Sequence, residues 1–251
     1  MRFPLSIAMV VIGLGTVGCT PPPPSGTEPI DWMEVEYGGP NKVMELLASG
    51  DEVTIRKRLD DYGIGFIRHE LISDCPQYFP SGDRNVWHSF DGEFYYIESS
   101  GRPYRAYKDL PPVAAEARNT TCQTSVGQWG DAENPSNDYD GGHLIGSQLG
   151  GWGKRANLVP QDANFNRGNW AVLENKMATC GSLPSGRIRY YIGANYPNGS
   201  ALIPNNMTMQ LTNQSTGASV SLSFSNTDGG GSNGVSEKNR GVSFLAGQGC
   251  N

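Results

Sequence analysis

The sequence predicts an α+β fold rich in turns, on three observations. Gly and Pro are abundant, 33 and 17 in a chain of 251 residues, and they cluster in loop-like stretches, which disfavours a helical bundle. Short runs rich in Ile, Phe, Tyr, Val and Met recur on both sides of the middle of the chain, as strands do. One segment, Asn164 to Cys180, repeats Trp170, Leu173 and Met177 at helical spacing and ends at Gly181, a natural helix stop.

Taken in order, Met1 to Gly18 has the layout of an export signal: Arg2, an apolar run from Leu5 to Leu14, then the small residues Gly15, Thr16 and Gly18. The run is too short to cross a bilayer as a stable helix. Thr-Val-Gly-Cys resembles a lipidation box, so two readings stay open. Lipidation at Cys19 would anchor the chain to a membrane; ordinary cleavage would release it. Gly13, Gly15 and Gly18 also spell a dinucleotide fingerprint, but Pro21 to Pro24 follow where that motif needs a helix. Residues 19–30 form a stiff Pro-rich tether, residues 31–85 an annex without a legible motif, and residues 86–251 the main domain.

Within the annex, Asn41 to Ser49 and Glu52 to Leu59 carry short helical patterns. Ile64 to Ile72, Val86 to Ile97 and Arg102 to Tyr107 read as strands, with hairpin turns at Asp91-Gly92 and Ser100-Gly101. Asp131 to Gly142 reads as a polar loop. Arg187 to Ile192, Met207 to Leu211 and Ser219 to Phe224 are further strands, and Asp228 to Gly234 (DGGGSNG) reads as a flexible turn. His69 and His88 have no partners at motif spacing and read as surface or half-buried residues.

Five cysteines are present. With Cys19 lipidated or removed, Cys75, Cys122, Cys180 and Cys250 remain, an even number that implies two disulfides in an exported protein. Three pairings are possible and the sequence does not choose. The net charge of −6 is a poor overall footprint for a nucleic-acid binder, so any such binding has to come from a local basic cleft.

Three elements carry chemistry: YDGGHLIGSQLGG (Tyr139 to Gly151), NLVPQ (Asn157 to Gln161) and NFNRGNWAVLE (Asn164 to Glu174). In their residue types, order and spacing they resemble the DNA/RNA non-specific endonucleases of the His-Me finger superfamily, in the bacterial branch with a GGHLI core followed by NLVPQ and NRG-W-E. The resemblance spans about residues 100–212. It implies a ββα-metal core with flanking antiparallel strands, and makes residues 86–251 a nuclease domain that hydrolyses DNA, and RNA as well, leaving a 5′-phosphate.

The residues suit that use. Imidazole titrates near neutrality, so His143 can take a proton from water. The amide oxygen of Asn166 suits a hard divalent cation, Mg²⁺ first and Mn²⁺ as the alternative. Glu174 lies eight residues further on; a regular helix places it roughly 80° around and about 12 Å along from Asn166. By resemblance it assists catalysis without binding the ion closely, orienting water or a basic side chain. Asn157 and Asp140 are expected to support the site structurally.

One departure bears on substrate binding. The better-known branch carries an arginine two residues before the histidine, where this chain has Gly141. Lys154, Arg155 and Arg167 flank the motifs and are the candidates for replacing that phosphate contact. The implied protein is a secreted or envelope-anchored, metal-dependent endonuclease acting on nucleic acid. A rival class is a catalytically silent nucleic-acid-binding or envelope-binding lipoprotein on the same fold.

Overall fold

In the computed structural model, residues 65–68, 75–90, 93–110, 117–180, 188–213 and 215–250 are described. The signal segment, Cys19, the tether, the two short helical patterns of the annex and His69 lie outside these residues. The architecture is α+β, as expected. A seven-stranded sheet runs in the order β1 (Gly65–Arg68), β2 (Val86–Phe90), β3 (Glu93–Ile97), β4 (Pro103–Leu110), β7 (Ile188–Asn195), β8 (Asn206–Asn213) and β9 (Ser219–Ser225). β1 and β2 are parallel and every other pair is antiparallel. Between β4 and β7 the chain leaves the sheet and builds a ββα unit. It comprises helix α1 (Thr120–Glu133), the hairpin β5 (Tyr139–His143) and β6 (Leu158–Asp162), and a helix in three parts. These parts are α2 (Ala163–Phe165), a π turn (Asn166–Trp170) and α3 (Ala171–Ala178). Helix α4 (Gly234–Gly247) closes the described chain.

Strand alternation sets the core. In β8, Met207, Met209 and Leu211 are buried, while Thr208 and Gln210 face the other way. The buried face meets the ββα unit through an aromatic cluster of Phe165, Trp170 and Phe224, with ring centroids 5.2–5.9 Å apart. Helix α4 lies along β9. Glu237 accepts a hydrogen bond from the Ser223 N–H, and Arg240 donates to the Ser221 carbonyl, so charged side chains satisfy groups that an edge strand would leave open.

Most strands fall where the sequence places them, but β5 and two helices do not. The expected polar loop Asp131 to Gly142 contains the end of α1 and the start of β5. α1 (TTCQTSVGQWGDAE) has few strong helix formers and two glycines, so propensity did not reveal it. It is held by the Asn119 cap, which accepts from the Cys122 N–H at 3.1 Å, and by tertiary packing. The expected flexible turn is a 3-10 turn (Asp228–Gly230), with Gly229, Gly230 and Gly231 at φ +61°, +86° and +83°, leading into α4. His88 is also corrected: it is buried, against the Phe79 ring. Part of the expected annex belongs to the body, because β1 is in the sheet and Phe79 is in the main core.

Two disulfides join Cys75 to Cys122 and Cys180 to Cys250. The first fixes the start of α1; the second ties the chain just after α3 to the chain just after α4. Peptide mapping without reduction should therefore recover these two pairs. Cys180→Ser with Cys250→Ser should lower unfolding stability by about 2–4 kcal/mol, read from the urea midpoint. Recovery of Cys75–Cys180 or Cys75–Cys250 peptides would contradict the arrangement.

Candidate active site

The site is built where α1 lies directly on β5. A Cβ on Gly141 would lie 2.2 Å from the Gln123 carbonyl oxygen, and one on Gly127 would lie 2.6 Å from the Tyr139 carbonyl oxygen. Both distances are impossible for real side chains, so backbone packs on backbone there. This also explains the departure at Gly141: an arginine cannot occupy a position that α1 fills. A cation reaches the site from two residues before α1. Arg118 lines the cleft, donates from Nε to Ser147 Oγ at 3.0 Å, and acts electrostatically on both His143 and Glu174. Sequence reasoning missed it, since it lies outside the three motif elements and a lone arginine before a polar stretch carries no signal of its own.

His143 ends β5 and is 7% exposed. Burial, and then the nearby positive charge of Arg118, push its pKa down to about 4, so the ring is neutral at physiological pH. Its Nδ1 lies 3.4 Å from Gln123 Nε2. The loop after it is clamped from two sides. Asn157, fully buried, accepts from the Ile145 N–H at 2.8 Å and donates to the carbonyls of Ile145 and Trp152 at 2.8 and 2.9 Å. From the sheet, the Tyr190 hydroxyl donates to the Leu144 carbonyl at 2.7 Å.

Asn166 opens the π turn. Its Nδ2 donates to Asp140 at 2.8 Å, and the oxygen of the same amide has no hydrogen bond among the described residues. Asp140 also holds the exposed Arg167 through two hydrogen bonds. Asp140, Asn166, Arg167, Gln123 and Arg118 line a cleft of about 460 Å³. Among the described residues, no three or more His, Cys, Asp or Glu side chains gather into a metal cage. A single amide oxygen beside an acidic cleft fits a hard cation that keeps most of its water and takes phosphate oxygens.

Glu174 is 7% exposed and accepts from Gln148 Nε2 at 3.1 Å and Trp170 Nε1 at 3.2 Å. Burial raises its pKa to about 7, against the lowering effect of these donors and of Arg118. Its place relative to Asn166 differs from the regular-helix expectation. Gly168, at φ −102° and ψ −109°, breaks helical geometry between the two residues and kinks the helix, so the regular-helix offset does not carry across this segment. Asn166 lines the cleft, whereas Glu174 is buried against Trp170 and Gln148.

The expected phosphate contacts divide. Arg155 is corrected: it is fully buried, and its guanidinium donates to the carbonyls of Pro76, Gln77 and Leu158, so it anchors backbone and cannot reach a substrate. Lys154 is half-buried and is not among the cleft-lining residues. Arg167 lines the cleft but is paired with Asp140.

A family model described as DNA/RNA non-specific endonuclease matches residues 84–215, just over half of the chain. Among solved structures, NucA from Streptococcus agalactiae with magnesium ion bound is 20% identical, covering 54% of this chain and 72% of that one, with a TM-score of 0.40. The same protein with no metal bound is 19% identical, covering 54% and 71%, with a TM-score of 0.38. An extracellular endonuclease is 14% identical, covering 52% and 75%, with a TM-score of 0.35.

The two buried titrating groups push metal-free stability in opposite directions. The raised pKa of Glu174 gives stability that is full below its ordinary 4.5 and lost as pH rises through about 7. The depressed pKa of His143 gives stability that is present above its ordinary 6.5 and lost as pH falls through about 4. In EDTA, Glu174→Gln should therefore match wild type at pH 4 and exceed it at pH 8 by up to about 3 kcal/mol. Equal urea midpoints at pH 8 would show that the Glu174 carboxylate carries no such burial cost.

Proposed function

The chain belongs to the DNA/RNA non-specific endonuclease family, and on that premise we propose that it is an exported, metal-dependent endonuclease with His143 as general base and Asn166 as metal ligand. The observation that carries the reading is the buried, neutral His143 beside a cleft that holds both a free amide oxygen and Arg118. A neutral imidazole is already in the proton-accepting form at neutral pH. Water adds its oxygen to phosphorus and gives its proton to His143. The bond to the 3′ oxygen breaks and that oxygen takes up a proton, leaving a 5′-phosphate. A divalent cation, Mg²⁺ or Mn²⁺, would neutralise charge on the phosphate and its leaving oxygen.

Each remaining side chain has a definite task. Asp140 holds the Asn166 amide by its nitrogen and so presents the oxygen to the cation. Arg118 supplies the phosphate contact, and Arg167 a further one once phosphate competes with Asp140. Glu174 orients water and the Arg118 charge from its pocket against Trp170 and Gln148. Two disulfides support an extracytoplasmic location, the setting in which such bonds persist. Lipidation at Cys19 would keep the enzyme at the envelope; cleavage nearby would release it.

Purified protein should nick and then fragment plasmid DNA with Mg²⁺ and stop in EDTA. His143→Ala should fold and bind DNA yet lose about 10²–10⁴ in rate. Full activity of either metal-free protein or His143→Ala would sink the mechanism, and binding without cleavage by the wild type would make it a silent binding protein. On the inactive His143→Ala background, log affinity should fall with log salt at a shallow slope of about −2 to −4, and Arg118→Ala should reduce that slope by about 1. An unchanged slope would remove Arg118 from the phosphate contacts.

A further inference from the structure

The two ends of the cleft carry opposite charge. α1 runs antiparallel to β5: Gln123 donates to the Gly141 carbonyl, and further along the helix Asp131 accepts from the Tyr139 N–H at 2.9 Å. Arg118, two residues before α1, therefore marks one end. Asp131 and Asp138, the residue just before β5, mark the other. Asn166 and Arg167 lie between them, held by Asp140. The wall that α1 supplies between the two ends is uncharged, with Thr120, Thr124 and Gln128 exposed along it.

The Asp138 carboxylate has no structural task. Its backbone is fixed, because the Asp138 carbonyl accepts from the Ala163 N–H at 2.9 Å at the start of α2. Its side chain is exposed, lines the cleft and accepts no hydrogen bond among the described residues. The charge still reaches the neighbouring cation. Arg167 holds its proton more tightly than usual, first through its hydrogen bonds and charge contact with Asp140 and then through the charge of Asp138. Two arginines and three aspartates line the cleft, so only a bound divalent cation makes it net positive, and the Asp138 end has no cation of its own.

Distance decides how much of a substrate this charge meets. Asp138 lies two residues before Asp140, about 7 Å along an extended chain. A strand of duplex DNA advances about 3.4 Å per nucleotide, so the charge stands about two nucleotides from a phosphate held at Asn166. That is within the Debye length of about 8 Å at physiological salt, so the repulsion is not screened away. We propose that Asp138, with Asp131 beside it, is a specificity-determining end-stop: it turns the phosphate chain out of the cleft within about two nucleotides of the Asn166 site on one side, while the Arg118 side keeps its hold. The inference rests on the nuclease reading above, which puts the reacting phosphate at Asn166. Selectivity then lies in reach and not in base sequence. Substrate extended past Arg118 gains contacts, and substrate extended past Asp138 gains none.

The test uses DNA duplexes with one ordinary phosphodiester, all other linkages being phosphorothioates, which keep the charge but resist cleavage. The duplexes are lengthened stepwise on the 5′ or the 3′ side of that bond, and KM and kcat are measured with Mg²⁺. For wild type, KM should keep falling with length on one side and level off after about two nucleotides on the other. Asp138→Lys should restore the length dependence on the silent side. There KM for long duplexes should drop by about 5–20-fold with kcat within about twofold, and the slope of log KM against log salt should steepen by about 1. Asp138→Asn should lower the same KM by about 2–5-fold, and so should Asp131→Asn, whose amide oxygen can still accept the Tyr139 N–H. Asp83→Lys, in the 3-10 turn Ser81–Asp83 and outside the cleft, makes the same change in net charge and should move KM by less than about twofold at every length. The proposal is overturned if wild-type KM falls equally on both sides, or if Asp138→Lys lowers KM no more than Asp83→Lys does. A wild type that cleaves none of the duplexes would overturn the nuclease reading, and the binding affinities of the same series would then decide the end-stop by the same criteria.

Discussion

The contact on which the site depends is backbone against backbone, where α1 lies on β5. Three glycines make it possible: Gly127 on the helix and Gly141 on the strand, which meet backbone, and Gly130, which packs against the Tyr139 and Pro160 side chains. Each leaves a gap smaller than a methyl group, so no other residue fits without moving the helix. The contact brings Arg118 and Gln123 to His143, and it leaves no room for an arginine inside the strand motif. The Cys75–Cys122 bond holds α1 near its start, one residue before Gln123. Helix propensity contributes little, so the placement of these two side chains is a property of packing and covalent tethering.

A second chain of contacts runs from the sheet to the loop behind His143. Glu93, buried on β3, meets Lys108, the Tyr95 hydroxyl and the Trp152 N–H. Trp152 gives its carbonyl to Asn157, and Asn157 holds Ile145. A buried carboxylate is costly unless it is paired and hydrogen-bonded, and here both conditions are met. The result is a polar path from the middle of the sheet to the residues that follow His143, parallel to the direct clamp from Tyr190. His143 therefore rests on rigid elements on both sides, which suits the proposed role of a base that has to meet water and phosphorus in one geometry.

Much of the site was legible because its chemistry is local in sequence. GGH, NLVPQ and NRG-W-E place His143, Asn157, Asn166 and Glu174 on neighbouring elements, and strand alternation and turn residues gave the sheet. What could not be read depends on distant packing. Arg118 and Gln123 matter only because α1 docks on Gly141, and α1 itself is a weak helix former. Arg155 looks from the sequence like a surface charge, yet it lies inside with backbone carbonyls on every side of its guanidinium. The π turn after Asn166 is equally silent, because Gly168, at φ −102° and ψ −109°, breaks helical geometry within a pattern that remains helical in its apolar spacing.

The insertion of the ββα unit between β4 and β7 has a consequence for how such a protein can change. Leu110 and Ile188 are register partners, so the chain leaves the sheet and returns to it at the same place. Closing a loop whose ends already touch costs little more as the loop lengthens. Segments can be added to or removed from the inserted unit without altering the pairing of any sheet strand. The scaffold and the reactive part are thus separable in inheritance: one can drift in length and surface while the other keeps its register.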